Sequence, residues 1–114
     1  MVTLVPQFTH RDANNSTVEH VVDHVVHIAS LVGYDHIGLG TDFAGTPWTV
    51  PGVDDIAKLP VLVAAMLRRG IARADVEKIL GLNVIRVLAD VERVARELRS
   101  EPALEDVIEP IVED

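Results

Sequence analysis

Two short apolar runs, Val2-Thr3-Leu4-Val5 and Ile37-Gly38-Leu39-Gly40-Thr41, flank one amphipathic stretch, and that order constrains the fold more than any other feature. Between the runs, Val18, Val21, Val22, Val25, Ile28, Ala29 and Val32 recur at three and four, the apolar stripe of an α-helix. The spacing predicts a helix over Thr17 to Val32, capped by Asn15, Ser16 or Thr17 and stopped at Gly33. Each flanking run is short and aliphatic, and Pro6 closes the first, so both read as buried strands. Strand, helix, strand at this spacing is a βαβ unit, and its two strands must be parallel because a crossover joins them. Gly38 and Gly40 inside so short a strand imply close approach by something else.

Downstream, Ala44 to Gly52 reads as a loop. A second helix is expected from Val53 to Arg69, with Asp54 and Asp55 in its first turn, where the dipole favours acids. Pro60 either starts a continuing segment or kinks that helix, and Gly70 ends it. A third helix begins near Ala74 or Asp75 and bends at Gly81. Asn83 then caps a fresh helix running to Arg99, whose apolar face is Val84, Val87, Leu88, Val91, Val94, Ala95 and Leu98.

Composition narrows the function. With aromatic residues at 4% and apolar residues at 48%, the core must be aliphatic. The absence of cysteine excludes disulfides and thiolate metal sites. No apolar run approaches the ~20 residues of a membrane span, and no leader pattern opens the chain, so a soluble, cytoplasmic protein is expected. The net charge of -8 is uneven, because the stretch from Glu101 to Asp114 holds acids and no base. Residues 1 to 100 form a near-neutral body and residues 101 to 114 an acidic tail. Nucleic acid is not an expected partner, since phosphate binding needs a basic face. Arg68, Arg69 and Arg73 read as ordinary charge at a helix C-terminus.

Asp42 is the position with most chemistry. It follows a glycine-bearing strand and opens a loop, and in parallel α/β folds that end of the sheet is the active face. There a carboxylate can move protons, bind an amine or hold a metal, or it can simply brace the loop. His20, His24 and His27 share one face of the first helix, with Asp23 beside them, a spacing that can bind zinc. The pattern lacks the His-Glu-x-x-His glutamate, because Val21 stands in its place, so half-exposed histidines beside an apolar stripe are the simpler reading. Asn83 reads as a cap or a backbone clamp and Arg86 as an ion pair. Trp48 either lines a pocket mouth or anchors its loop.

The run Ile37-Gly38-Leu39-Gly40-Thr41-Asp42-Phe43 resembles the Gly-x-Gly-Ser/Thr-Asp-Phe-Asp-Gly signature of the membrane (renal) dipeptidase family. Asp23-His24-x-x-His27-Ile28 before it, and Gly52-Val53-x-Asp55-Ile56-x-Lys58-x-Pro60-x-Leu62, Leu67-Arg68-Arg69-Gly70 and Ile79-Leu80-Gly81-x-Asn83-x-x-Arg86-Val87 after it, agree in order and spacing. The resemblance covers about residues 1 to 92. It implies an α/β fold, a partial (β/α)8-barrel segment similar to the last two βα units, with two parallel strands and three to four helices. Val2 to Val5 would correspond to strand seven and Ile37 to Thr41 to strand eight. It implies dipeptide hydrolysis at a binuclear zinc site, with Asp42 as the catalytic and substrate-binding carboxylate beside the bridging water. The family positions matched by the helix-one histidines are not metal ligands.

Two departures qualify the resemblance. Ala44 stands where the family usually has a second Asp. A (β/α)8 barrel needs about 250 residues, against 114 in this chain. The family's zinc ligands and its substrate-clamping His and Arg precede the matched region, so no zinc is expected on this chain alone, nor activity. Three readings follow: part of a metallodipeptidase, taking a dipeptide only when completed; a non-catalytic interaction module working through its acidic tail; or a small metal binder using His20, His24 and His27. A two-stranded sheet has open edges, and the second and third helices carry apolar faces sized for a larger barrel. The expected partner is therefore a second copy or a complementing N-terminal barrel chain.

Overall fold

The computed structural model describes residues 1–102. Strand β1, Val2–Thr3, pairs in parallel with β2, Leu39–Gly40, in the register Val2 to Leu39 and Thr3 to Gly40. Helix α2, Val18–Val32, makes the crossover between them, so the expected βαβ unit is present. Both strands are shorter than the apolar runs that announced them. Beyond β1 the Leu4 carbonyl accepts not from a strand but from the Val50 N–H of the loop after β2, at 2.9 Å. Pro6 closes the extended run, as expected, and opens a single helical turn, α1, Pro6–Thr9.

Thr17 caps α2, and the third helical residue, His20, completes the capping box: its Nδ1 accepts from the Thr17 backbone N–H. A glutamate usually does this. Gly33, at φ 82, ends the helix in a conformation that a side chain would strain.

The second helix starts later than the apolar pattern suggested. Asp55 caps a 3-10 turn, Ile56–Lys58, and α3 runs only from Leu59 to Arg68. Asp54 and Asp55 therefore lie ahead of the α-helix, and Asp54 pairs instead with Lys58 at 2.7 Å. Pro60 sits in the first turn of α3, where its missing N–H costs nothing, and causes no kink. Helix α4, Arg73–Glu77, leads through a wide turn, Lys78–Leu82, into α5, Asn83–Glu97. Gly81 leaves helical geometry inside that turn, which is the expected break.

The core is aliphatic. Leu4, Val21, Val22, Val25, Val50, Val53, Leu62, Ala65 and Met66 are wholly buried, so β1, α2, the loop after β2 and α3 close on one another. Arg68 and Arg69 at the end of α3 reach Glu19 and Asp23 of α2. They are interhelical partners rather than simple dipole charges, although exposed pairs of this kind stabilise little. Met1 fills the space over the strand glycines: a Cβ on Gly40 would lie 3.3 Å from Met1 Cβ. What approaches them is Met1, joined at Gly38 by Val84, whose Cγ2 would lie 3.7 Å from a Cβ there.

The apolar surface left open is concentrated on α5 rather than on the second helix. Every residue from Val84 to Ser100 is exposed. Among the described residues no third strand joins the sheet, and no helix is long and apolar enough to cross a membrane. The acidic tail lies outside the described residues from position 103 onward.

Candidate functional site at the end of the second strand

Asp42 lies two residues beyond β2, at the C-terminal end of both parallel strands. Its backbone is left-handed, with φ 59, and Ala44 follows at φ 66. Aspartate tolerates that region better than most residues, whereas alanine has no polar group to compensate it. The Asp42 carbonyl accepts from the Gly45 N–H at 3.0 Å, closing a tight turn. The carboxylate leans over Gly45 so closely that a Cβ there would collide with Asp42 Oδ1. Phe43 packs back against the core and thereby anchors the turn. Asp42 itself is exposed and pairs with no Lys or Arg among the described residues. The turn thus holds an accessible, anionic oxygen pair in a defined place, able to accept a proton or bind an ammonium group.

What aims β2 is a set of contacts at its entry. Asn83 is buried and does not cap α5: it already has helical geometry. Its Nδ2 donates to the carbonyls of Tyr34 and Ile37, each at 2.8 Å, so it clamps the backbone just before β2. Arg86 donates to the Asp35 carbonyl at 2.8 Å, a hydrogen bond rather than the expected ion pair. Lys78 pairs with Asp35 at 2.7 Å and Asp75 at 3.0 Å. The Lys78 hydrogen bond and charge hold the Asp35 carboxyl below its ordinary value, and the two carboxylates raise Lys78 in return. The wide turn between α4 and α5 is therefore tied to the segment that feeds Asp42's strand.

The helix-one histidines do not act together. His20 is engaged with Thr17 and stacks on His10, with ring centroids 4.3 Å apart. His24 Nε2 donates to the Thr9 carbonyl at 2.9 Å, pinning α1 to α2. Among the described residues no group of three or more His, Asp or Glu side chains is placed to hold a metal. The described residues thus offer no ligand set that fits a binuclear zinc site.

Trp48, 62% exposed, lines a cleft of about 450 Å³ with Pro6, Gln7, Pro47, Thr49 and Pro51. Its walls are the segments following β1 and β2, so this cleft opens on the Asp42 side of the sheet. Sequence reasoning missed Gly45 as a site residue. The only signal was a glycine three positions after an exposed aspartate, the spacing of a tight turn.

The family model for membrane dipeptidase (peptidase family M19) matches residues 1–102. Dipeptidase tcpJ of Claviceps purpurea (strain 20.1) is 49% identical over 115 residues, covering 100% of this chain and 27% of that protein. Dipeptidase verJ of Clonostachys rogersoniana is 40% identical over 113 residues, 97% of this chain and 29% of its own length. Dipeptidase aclJ of Aspergillus oryzae (strain ATCC 42149 / RIB 40) is 40% identical over 114 residues, 99% of this chain and 27% of its own. The chain thus spans little more than a quarter of the curated relatives it matches.

Proposed function

The chain belongs to the membrane dipeptidase family, and on that premise we propose that it is the Asp42-bearing portion of a metal-dependent dipeptidase, inactive without the rest of the fold. The observation that carries this reading is the exposed Asp42 carboxylate, fixed by a left-handed turn at the C-terminal end of a parallel strand. The family's zinc chemistry would be supplied by ligands outside the described residues. Asp42 would take up and return protons at the peptide nitrogen, or hold the substrate's ammonium group. The Trp48 cleft, on the same side, would border the substrate.

A second reading has its own support. The exposed apolar face of α5 suits a non-catalytic interaction or oligomerisation module built on the same segment. The test is complementation. The chain is co-expressed with the part of Dipeptidase tcpJ outside the matched region, loaded with zinc and assayed for dipeptide hydrolysis. Activity is expected in the pair and in neither part alone, and Asp42→Asn should lower kcat by at least about 100-fold. Equal activity in the Asn variant would remove Asp42 from the chemistry, and an inactive but stable pair would favour the interaction module.

A further inference from the structure

Trp48 is the only tryptophan of the chain, and the loop that carries it is held on both sides. Its N–H donates to Thr46 Oγ1 at 3.2 Å, and that hydroxyl donates back to the Trp48 carbonyl at 3.3 Å. Two residues later the Val50 N–H donates to the Leu4 carbonyl at 2.9 Å, and the Val50 and Val53 side chains are wholly buried. Pro47 and Pro51 fix φ around it. Its neighbours thus anchor the loop, while the indole itself stays exposed and lines the cleft of about 450 Å³. That cleft has the size of small-ligand pockets, about 300–1,000 Å³, and their chemistry, an apolar lining with a few polar groups. Trp48, Pro6, Pro47 and Pro51 offer ring surfaces. Gln7 from α1 and Asn14 from the turn Ala13–Asn15 offer neutral amides that can meet a peptide group. None of the lining residues among those described is charged, so a charged group entering there would lose water without gaining an ionic partner. Charge is met instead at Asp42, on the same side of the sheet.

We propose that the Trp48 cleft is a specificity subsite that receives an uncharged, ring-bearing side chain of the dipeptide, stacked on the indole. Dipeptides with a bulky aromatic residue are then the preferred substrate class. The proposal rests on the dipeptidase reading above. Trp48 is a specificity residue in it: the indole touches the substrate's side chain and takes no part in breaking the peptide bond. Loops at the C-terminal ends of parallel strands are where such folds bind their ligands, and both walls of this cleft are loops or turns of that kind. Because the Trp48 loop is already fixed by Thr46 and Val50, stacking orders little further chain, and the contact goes into selectivity rather than into loop closure.

Two readouts test it. Because Trp48 is the sole tryptophan, the tryptophan fluorescence of the full chain reports this cleft alone. Titration with phenylalanylglycine and glycylphenylalanine should give a saturable shift with at least one of them, and glycylglycine and glutamylglycine should give none. No response to either phenylalanine dipeptide overturns the proposal, as does an equal response to glycylglycine. The second readout is kcat/KM in the chain complemented with the part of Dipeptidase tcpJ outside the matched region and loaded with zinc. Trp48→Ala should lower kcat/KM for the responding phenylalanine dipeptide about 10-fold, chiefly through KM, and leave alanylglycine within about 2-fold. Trp48→Phe should restore most of the loss, since a ring again faces the substrate. Circular dichroism checks the fold of both variants. Equal losses on the two substrates would make Trp48 a support for its loop and overturn the proposal. The two readings fail separately. An inactive pair with a ring-selective Trp48 response removes the dipeptidase function and keeps the cleft as a ring-binding site. An active pair whose selectivity survives Trp48→Ala keeps the function and removes the subsite.

Discussion

Helices α2 and α5 are each fifteen residues long, amphipathic and valine-rich, yet they have opposite fates. In α2 the stripe Val21, Val22 and Val25 is wholly buried against β1 and α3. In α5 the stripe is bare, and only Asn83 at its first position is buried. Periodicity explains why each is a helix. It says nothing about what covers the apolar face, because that depends on which elements are present to pack. The difference teaches that the chain holds a closed half and an open half, and that Asp42's strand is the boundary between them.

The sharpest way to break this comparison is to place the same charge on both stripes. Val25→Asp should abolish cooperative unfolding, since an unpaired buried carboxylate costs several kcal/mol, on the order of a small domain's whole stability. Val91→Asp should move stability by no more than about 0.5 kcal/mol in the isolated chain. Denaturant titration of both variants checks this, and a large loss for Val91→Asp would mean α5 is already covered.

The boundary comes next. Asn83→Ala should cost about 1–3 kcal/mol by leaving the Tyr34 and Ile37 carbonyls short of a donor. Alanine is the better helix former, so a loss there cannot come from α5 propensity and must come from the clamp on β2. The same denaturant titration measures it, and an unchanged midpoint would detach α5 from the β2 entry altogether.

The smallest effect lies in the Asp42 turn. Ala44→Gly should stabilise by up to about 1.6 kcal/mol. Relief of a left-handed residue gives about 1–2 kcal/mol, and the freer unfolded glycine takes back about 0.4–1 kcal/mol. Thermal unfolding reads the shift, and a loss of stability would mean the Ala44 methyl is packed rather than strained.

Particular residues show how much was legible. The stop at Gly33 and the break at Gly81 follow from local rules, which also narrowed the cap to Asn15, Ser16 or Thr17, whereas the parallel βαβ order was read from two apolar runs on either side of one helix. The position of Asp42 at a strand end was equally readable, from an apolar run that stops at a polar pair. Strand length was not: a ladder lasts only while both strands keep pairing, and just past Thr3 the Leu4 carbonyl accepts from the Val50 N–H of a loop instead. Nor was the start of α3 readable, because Asp55 could cap either a 3-10 turn or an α-helix and only the packing of Leu62, Ala65 and Met66 fixed which.

The sequence by itself determined the order and type of the elements, the aliphatic core and the family signature around Asp42. Tertiary structure alone decided that Asn83 clamps the entry of β2, that His24 donates to the Thr9 carbonyl, and that α5 stands uncovered among the described residues. The reason is physical: secondary structure is set by neighbours along the chain, whereas clamps, ligand geometry and burial are set by neighbours in space.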